Sequence, residues 1–158
     1  MITFQDLRQV LQHFDEASES RRQQLIQTII QEQATPLPQD LTDRFNQDRF
    51  SHSEMKLLSY IDNHGGECSY QQLTQELELS QGMISRYVNR LTTNGLLEKF
   101  HRNGNKKSVY LKITPTGQQV SHIHLTMHRR EDEYYNQILE KIDENDLQAT
   151  LNILQKLS

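Results

Sequence analysis

The sequence is poor in cysteine and has no long apolar run. It contains a single cysteine, Cys68, among 158 residues, which excludes an intrachain disulfide framework and a zinc site made of cysteines alone. Its apolar runs are too short to cross a membrane, and residues 1–6 form neither a basic nor an apolar leader segment. We therefore expect a cytoplasmic protein.

Apolar residues and catalytic motifs are also scarce. Apolar residues make up 34% of a chain whose length suits one domain of ordinary size with appendages. Such a subunit has a thin core when it is alone, so we expect burial across an oligomer interface. No set of nucleophile, base and orienting group is recognisable, nor is a glycine-rich phosphate loop. We therefore expect that the chain is not an enzyme.

Charge is distributed unevenly along the chain. The net charge is −4, but residues 81–112 contain seven cations and one acid, a local charge of +6 that leaves −10 for the remainder. A solvated surface more often mixes both signs, whereas phosphate binding needs a local cluster of cations. The segment therefore indicates a nucleic-acid partner. Its cations are Arg86, Arg90, Lys99, Arg102, Lys106, Lys107 and Lys112.

The first third of the chain is predicted to be helical. Apolar residues recur at helical spacing from Phe4 to Ile30, although a polar stretch between them leaves open whether they form one helix or two. Pro36 and Pro38 end this pattern, because proline removes a backbone donor and disfavours a helical predecessor. A further short helix is expected at residues 41–45.

Two short helices joined by a tight turn follow in the middle of the chain. Ser69 opens the first of them with a capping box, and Ser80 and Gly95 suit the N-cap and the C′ position of the second. Another helix is expected before this pair, capped by Ser51 or Ser53. The arrangement is typical of a helix-turn-helix.

The second helix of the pair has two different faces. Its apolar residues fall at the spacing i, i+3, i+4 and i+7, which predicts one buried stripe. They are Ile84, Tyr87, Val88 and Leu91, while Gln81, Ser85, Arg86, Asn89 and Arg90 lie on the opposite face.

After this helix the period of the apolar residues changes from helical to alternating. Residues 96–101 and 109–113 are predicted to form two strands, and the turn at 103–105 joins them into a hairpin. A helix-turn-helix followed by a basic hairpin is a winged helix. The cations at the hairpin tip are Arg102, Lys106 and Lys107.

Two further helices are predicted after the hairpin. Thr114 suits the N-cap of a long helix, with Pro115 at its first position, where the missing amide costs nothing. Asp143 suits the cap of a last helix, whose leucines recur every three to four residues and cannot be buried by that helix alone.

Three stretches, residues 73–91, 95–99 and 106–117, match a known pattern in order and spacing. In them the chain resembles the MarR (multiple-antibiotic-resistance regulator) family of bacterial winged-helix repressors. The resemblance implies a mainly α fold and an obligate dimer with one winged helix in each subunit. Residues 51–117 would form the winged helix-turn-helix, and residues 1–50 and 118–158 the intertwined dimerisation helices.

The resemblance also implies which residues contact DNA. Gln81, Gly82, Ser85 and Arg86 would lie at the major groove, and Lys106 and Lys107 near the minor groove or its phosphates. From their places in the chain we add Arg90 and Arg102 as contacts of the DNA backbone, and we expect Arg86, in the N-terminal half of its helix, to contact bases. We expect Gly82, which has no side chain, to let the helix approach the DNA backbone closely.

The predicted wing departs from the pattern of its relatives. Many of them have an aspartate that braces a wing arginine, whereas this chain has Asn105 followed by Lys106 and Lys107. Lysine cannot make the planar, bidentate contacts of arginine. We therefore expect the wing to contact phosphates rather than to insert into the minor groove.

A pair of histidines is a candidate zinc site. His124 and His128 are four residues apart on the long helix, which puts both rings on one face, and some zinc-sensing members of the resembled family use a histidine pair at a similar place. Zinc normally takes four ligands, so His52, His64, His13 or a carboxylate would have to join the pair. The simpler interpretation is a pair of polar residues near a dimer interface.

Together these features predict a homodimeric transcriptional regulator that represses by occupying a near-palindromic DNA operator and is released by a small effector. One alternative is a zinc-responsive regulator of the same fold, and another is a winged helix used for protein contact without DNA binding. We expect Cys68 to be inert, and residues 131–135 to be a solvated helix face.

Overall fold

The structure is a computed structural model and describes residues 1–47 and 49–158. This part of the chain is mainly helical with one small sheet, which confirms the predicted fold class. The elements in chain order are α1 (Phe4–Gln31), α2 (Gln39–Asn46), α3 (His52–Asn63), β1 (Glu67–Ser69), α4 (Tyr70–Glu76), α5 (Gln81–Thr93), β2 (Leu97–Phe100), β3 (Tyr110–Ile113), α6 (Pro115–Leu139) and α7 (Glu144–Leu157).

The N-terminal helix α1 is continuous, so the polar stretch in its middle does not divide it. The helix persists there because Ser18 turns inward, and its hydroxyl lies 2.7 Å from the hydroxyl of Tyr135 on α6. A short α2 follows Pro38, as predicted, and extends beyond residues 41–45 at both ends.

Side-chain caps define the starts of the next three helices. Ser51, rather than Ser53, caps α3, and Ser69 caps α4 with the predicted capping box. The hydroxyl of Ser80 accepts a hydrogen bond from the third amide of α5 at 3.2 Å. Beyond the end of α5, Gly95 has a φ of +72°, the left-handed conformation that glycine adopts with least strain.

The sheet contains a strand that was not predicted. β3 lies in its centre and pairs antiparallel with β2 on one side and β1 on the other. The predicted hairpin is confirmed as β2 and β3, with Leu97 opposite Ile113. β1 is three residues long and places Cys68 opposite Leu111. A strand this short has no readable alternation, so only the pairing with β3 defines it.

One continuous core joins α3, α4, α5 and the sheet, and α6 packs closely against it. Leu57, Leu58 and Leu91 are completely enclosed in this core. Gly117 in the first turn of α6 permits the close approach, because a Cβ atom there would overlap the carbonyl oxygen of Leu96. The winged helix is therefore anchored to the start of α6.

Polar contacts join α6 to α1. Arg21 donates a hydrogen bond to the hydroxyl of Tyr135 at 3.0 Å, and its guanidinium carbon lies 3.8 Å from the centre of the Tyr134 ring. Glu131 accepts a hydrogen bond from Arg22 at 2.9 Å. The predicted solvated face is therefore wrong for Glu131 and Tyr135, because α1 covers them.

The ends of the long helices and all of α7 leave apolar side chains exposed. α7 has no buried residue, and a stable single subunit seldom exposes so much apolar surface. Among the described residues, no helix combines the length and the apolarity needed to cross a membrane. The exposed apolar side chains include Phe4, Val10, Leu11 and Phe14 of α1, Ile138 and Leu139 of α6, Ile142, and Leu151, Ile153, Leu154 and Leu157 of α7.

Candidate nucleic-acid interface

Helix α5 presents the predicted polar face to solvent. Its apolar stripe is buried, and Ile84, Val88 and Leu91 are completely enclosed. The opposite side is open, and no atom lies within 4 Å of the position that a Cβ would take at Gly82. Exposed on this side are Gln81, Gly82, Arg86, Asn89 and Arg90, and Ser85 is half-buried.

One amide side chain holds the turn of the wing, the segment between β2 and β3. Oδ1 of Asn105 accepts hydrogen bonds from the backbone N–H of Lys107 at 3.1 Å and of Ser108 at 3.3 Å. Gly104 precedes it with a φ of +82°. Asn105 therefore braces the backbone of the turn, and its Nδ2 also donates a hydrogen bond to the hydroxyl of Ser108 at 3.3 Å.

The three predicted cations of the wing are all exposed. The guanidinium carbon of Arg102 lies 4.3 Å from the centre of the Tyr110 ring, a cation–π contact that restrains it. In the described part of the chain, neither Lys106 nor Lys107 has an acid within ion-pair distance. Both lysines are therefore available to phosphates.

A groove of about 590 Å³ lies between α4, α5 and the wing. Gln81 and Ser85 of α5 and Lys107 of the wing line it, so the structure brings these predicted residues together at one surface. The ammonium group of Lys99 in β2 also donates a hydrogen bond to Asn89 at 2.6 Å, which joins β2 to α5. The groove residues that we did not predict are Ser69, Tyr70, Gln71, Thr74, Lys99, Ser108, Val109 and Tyr110.

The missed residues had weak signals in the sequence. Lys99 belongs to the basic segment, but its place on a strand gave no reason to assign it to the groove. Ser69 was recognised as a helix cap, and this signal describes only the start of α4, where its hydroxyl accepts the amide of Gln72. The remaining residues are uncharged, so only the fold brings them to this surface.

Arg90 does not line this groove, and it has a protein partner. Its Nε lies 3.1 Å from Oε1 of Glu54 in α3. Glu54 is completely buried, and its Oε2 accepts a hydrogen bond from the backbone N–H of Ser51 at 2.9 Å. The Arg90 N–H is not aligned with Oε1 well enough for a hydrogen bond, so the contact is an ion pair. Arg90 thus joins α5 to α3 besides facing solvent.

Three histidines from two helices meet beside α1. The ligating nitrogens of His52 in α3 and of His124 and His128 in α6 lie within 4.8 Å of one another. The Nε2 atoms of His124 and His128 are 3.0 Å apart. Among the described residues, His52 is the candidate that joins the predicted pair, and His64 and His13 do not.

A cavity of about 110 Å³ opens onto this histidine cluster. Nδ1 of His124 is buried without a hydrogen-bond partner among the described residues. Burial, and to a lesser degree the nearby His128 and His52, lower the pKa of His124 to about 4, so its ring is neutral at pH 7. Metal ions require neutral imidazole, so this donor set suits zinc. Oε1 of Gln23, in the same cavity, also lacks a partner.

The single thiol lies away from both surfaces. Cys68 is 2% exposed in β1, and burial raises its pKa to about 11. A protonated, enclosed thiol is unreactive, in line with the expectation that Cys68 is inert.

The winged helix matches a known family in sequence. The sequence profile of the MarR family matches residues 50–109, from the start of α3 through the wing. The HTH-type transcriptional regulator PchR of Bacillus subtilis (strain 168) is 22% identical over 86 residues, which cover 54% of this chain and 51% of PchR. The chain thus spans about half the length of the curated relatives it matches. They are named as HTH-type transcriptional regulators.

Solved structures share the fold. ZitR of Lactococcus lactis in complex with DNA has a TM-score of 0.55 and 14% identity, over 68% of this chain and 73% of that chain. Another ZitR structure is described as that of a zinc-responsive MarR family member. The organohalide-sensing transcriptional regulator RdhR, bound to 2,4-dichlorophenol, has a TM-score of 0.57 and 16% identity, over 99% of this chain and 80% of that chain. At these identities the likeness is one of fold.

Proposed function

We propose that the chain is a DNA-binding transcriptional regulator of the MarR type, because the MarR profile matches residues 50–109 and the curated relatives are named as transcriptional regulators. The observation that carries the proposal is the groove in which Gln81 and Ser85 of α5 face Lys107 of the wing. It lies in the segment with a local charge of +6. A helix with polar side chains fits the major groove, and the cations beside it neutralise phosphates. A cationic surface of this kind argues against use of the winged helix for protein contact alone.

The roles of the individual residues follow from their places on this surface. The residues near the start of α5 would approach base edges, because this end of a recognition helix enters the major groove. The wing lysines would contact phosphates as point charges. The base-reading set is Gln81, Gly82, Ser85 and Arg86, and the backbone set is Arg90, Arg102, Lys106 and Lys107.

A second copy of the chain would cover the exposed apolar residues of α1, α6 and α7. Residues 1–50 and 118–158 would then be the dimerisation helices, and residues 51–117 the DNA-binding domain. Two recognition helices related by a two-fold axis read half-sites about 34 to 36 Å apart. The regulator would act in the cytoplasm as a repressor that blocks transcription by occupying a near-palindromic operator. A small effector bound between the winged helix and the dimerisation helices would release it.

Fluorescence anisotropy with a labelled duplex from the region upstream of the chain's own gene tests DNA binding. Arg86→Ala should weaken binding by about fivefold to 150-fold, since a good base contact contributes about 1 to 3 kcal/mol. Lys106→Ala/Lys107→Ala should weaken binding and reduce its dependence on salt. Lys141→Ala, outside the winged helix, is the matched control. Wild-type affinity in both the Arg86 variant and the double lysine variant would contradict the proposal.

A zinc-responsive regulator is a second candidate function, and the meeting of His52 with His124 and His128 favours it. These three imidazoles would hold the ion, with Oε1 of Gln23 or water as a fourth ligand. Bound zinc would supply a link between α3 and α6. Glu131 pairs with Arg22 through Oε1 at 2.9 Å, and its Oε2 lies 3.8 Å from Nδ1 of His128, so it would orient that ring from outside the ligand set.

Zinc titration against a competing chelator tests this second function. His124→Ala and His52→Ala should each lower zinc affinity at least tenfold, since each removes one of three protein ligands. His122→Ala is the matched control, because His122 lies two residues from His124 but outside the cluster. Equal zinc affinity in the His122 and His124 variants would refute a site at this place. Repeating the anisotropy measurement with zinc and then with chelator tests whether the ion alters DNA affinity.

A further inference from the structure

A second basic depression, of about 290 Å³, lies beside the recognition helix α5. All the side chains that line it can donate hydrogen bonds, and none is acidic, so the lining suits an anion. They are Arg44 of α2, Asn89, Arg90 and Thr93 of α5, and Asn94 at the end of α5.

This depression extends from the exposed face of α5 to the edge of that face farthest from the groove next to the wing. Successive residues of an α-helix are about 100° apart around its axis. Measured from Gln81, the groove residue Ser85 therefore lies at about 40°. The depression residues Asn89, Thr93, Arg90 and Asn94 lie at about 80°, 120°, 180° and 220°. The exposed face of the helix lies between these positions. A DNA duplex that receives this face would meet the wing groove on one side and the depression on the other.

The two arginines that line the depression, Arg44 and Arg90, are not fully neutralised by carboxylates of the described residues. Among the residues that the structure describes, Nε of Arg44 is buried without a hydrogen-bond partner and no carboxylate lies within 4.0 Å of its guanidinium. Asp40 and Asp43 line a neighbouring depression, together with Arg44 and Arg49. The contact between Arg90 and the buried carboxylate uses Nε, so the terminal N–H groups of Arg90 are available to a ligand.

We propose that this depression binds a backbone phosphate of the DNA strand opposite to the one held at the wing groove. A helix is about 10 to 12 Å wide and the major groove about 12 Å, so a helix in the groove lies between both backbones. Arg44, Arg90 and Asn94 then hold the strand on their side. The inference rests on the proposed DNA-binding function, and it extends the contact surface to α2, outside the matched residues 50–109.

The salt dependence of DNA affinity tests the site in the intact protein, with the same labelled upstream duplex. Each lost phosphate contact reduces the slope of log K against log salt concentration by about 0.9. Arg44→Gln should therefore reduce the slope by about 0.9 per subunit. Arg44→Lys keeps the charge and should keep the slope. Arg129→Gln removes an exposed cation from α6 and serves as the control for net charge.

Each outcome separates this inference from the proposed function. A wild-type slope in Arg44→Gln, together with a reduced slope in Lys107→Gln, overturns the inference and leaves DNA binding at the wing intact. The inference is also overturned if Arg44→Gln and Arg44→Lys reduce the slope equally and both lower the melting temperature. That result would assign Arg44 a packing role against Phe50, because its guanidinium carbon lies 5.1 Å from the centre of that ring. A wild-type protein that binds no duplex overturns both.

Discussion

The ion pair between Glu54 and Arg90 has one enclosed and one solvated member, so its two partners should respond differently to mutation. The side chain of Glu54 is 0% exposed and that of Arg90 is 45% exposed. Arg90→Ala leaves a buried carboxylate without a cation, which costs about 3 kcal/mol or more. Glu54→Gln leaves an arginine that can turn to water, and the amide oxygen can still accept from Ser51, so we expect a cost of about 1 kcal/mol.

The double variant isolates the interaction between these two side chains. Glu54→Gln/Arg90→Ala contains no buried charge, so it should be more stable than Arg90→Ala alone and close to Glu54→Gln. The coupling energy from this double-mutant cycle should be about 3 kcal/mol in magnitude, because the double variant recovers nearly the whole cost of Arg90→Ala. Urea denaturation followed by circular dichroism measures it, with the protomer concentration held fixed because association would contribute to stability.

Arg86→Ala is the matched control for this cycle. Arg86 is exposed on the same helix, and its removal should change the free energy of unfolding by less than about 0.5 kcal/mol. The reasoning is refuted if Arg90→Ala costs no more than Glu54→Gln, or if the two single effects simply add in the double variant.

Three further predictions concern packing, the thiol and pH. Gly117→Ala should lower the free energy of unfolding by at least about 2 kcal/mol, because its Cβ would overlap the Leu96 carbonyl oxygen. Gly82→Ala places its Cβ in open space and should be neutral or stabilising. Thermal unfolding of the two variants measures the difference. Cys68 should react with a thiol reagent only in denaturant, so rapid reaction in buffer would contradict its enclosure. The fold lowers the pKa of His124 from 6.5 to about 4. Between these two pH values the His124 ring is therefore protonated in the unfolded chain and neutral in the folded one. Acidification through this window, with chelator present, should therefore remove about 1 to 3 kcal/mol of stability, and His124→Gln should lose this dependence.

Local chemistry explains the parts of the fold that the sequence predicted well. The caps Ser80 and Thr114 act within three residues of themselves, where each hydroxyl accepts a backbone amide of its own helix. The apolar stripe of α5 and the alternation in β3 repeat over a single element. Patterns that extend over a single helix or strand can be recognised without knowledge of the rest of the chain.

The features that were missed depend on contacts between distant residues. β1 exists because β3 pairs with it, and Tyr135 is covered because α1 passes beside α6. His52 could be named only as one of several possible partners of the histidine pair, since its distance from His124 depends on how α3 packs against α6. The ion pair of Glu54 and Arg90 was missed for the same reason. A capping glutamate and a surface arginine give no sign in the sequence that they meet.

The wing turn is braced by a group that carries no charge. The amide of Asn105 does not titrate, and its two hydrogen bonds to the backbone are not an ion pair that salt would screen. The wing should therefore keep one shape from low to high ionic strength. A loss of DNA affinity with added salt then reports counterions returning to phosphates and not an opening of the wing. In this protein a salt titration should count phosphate contacts directly.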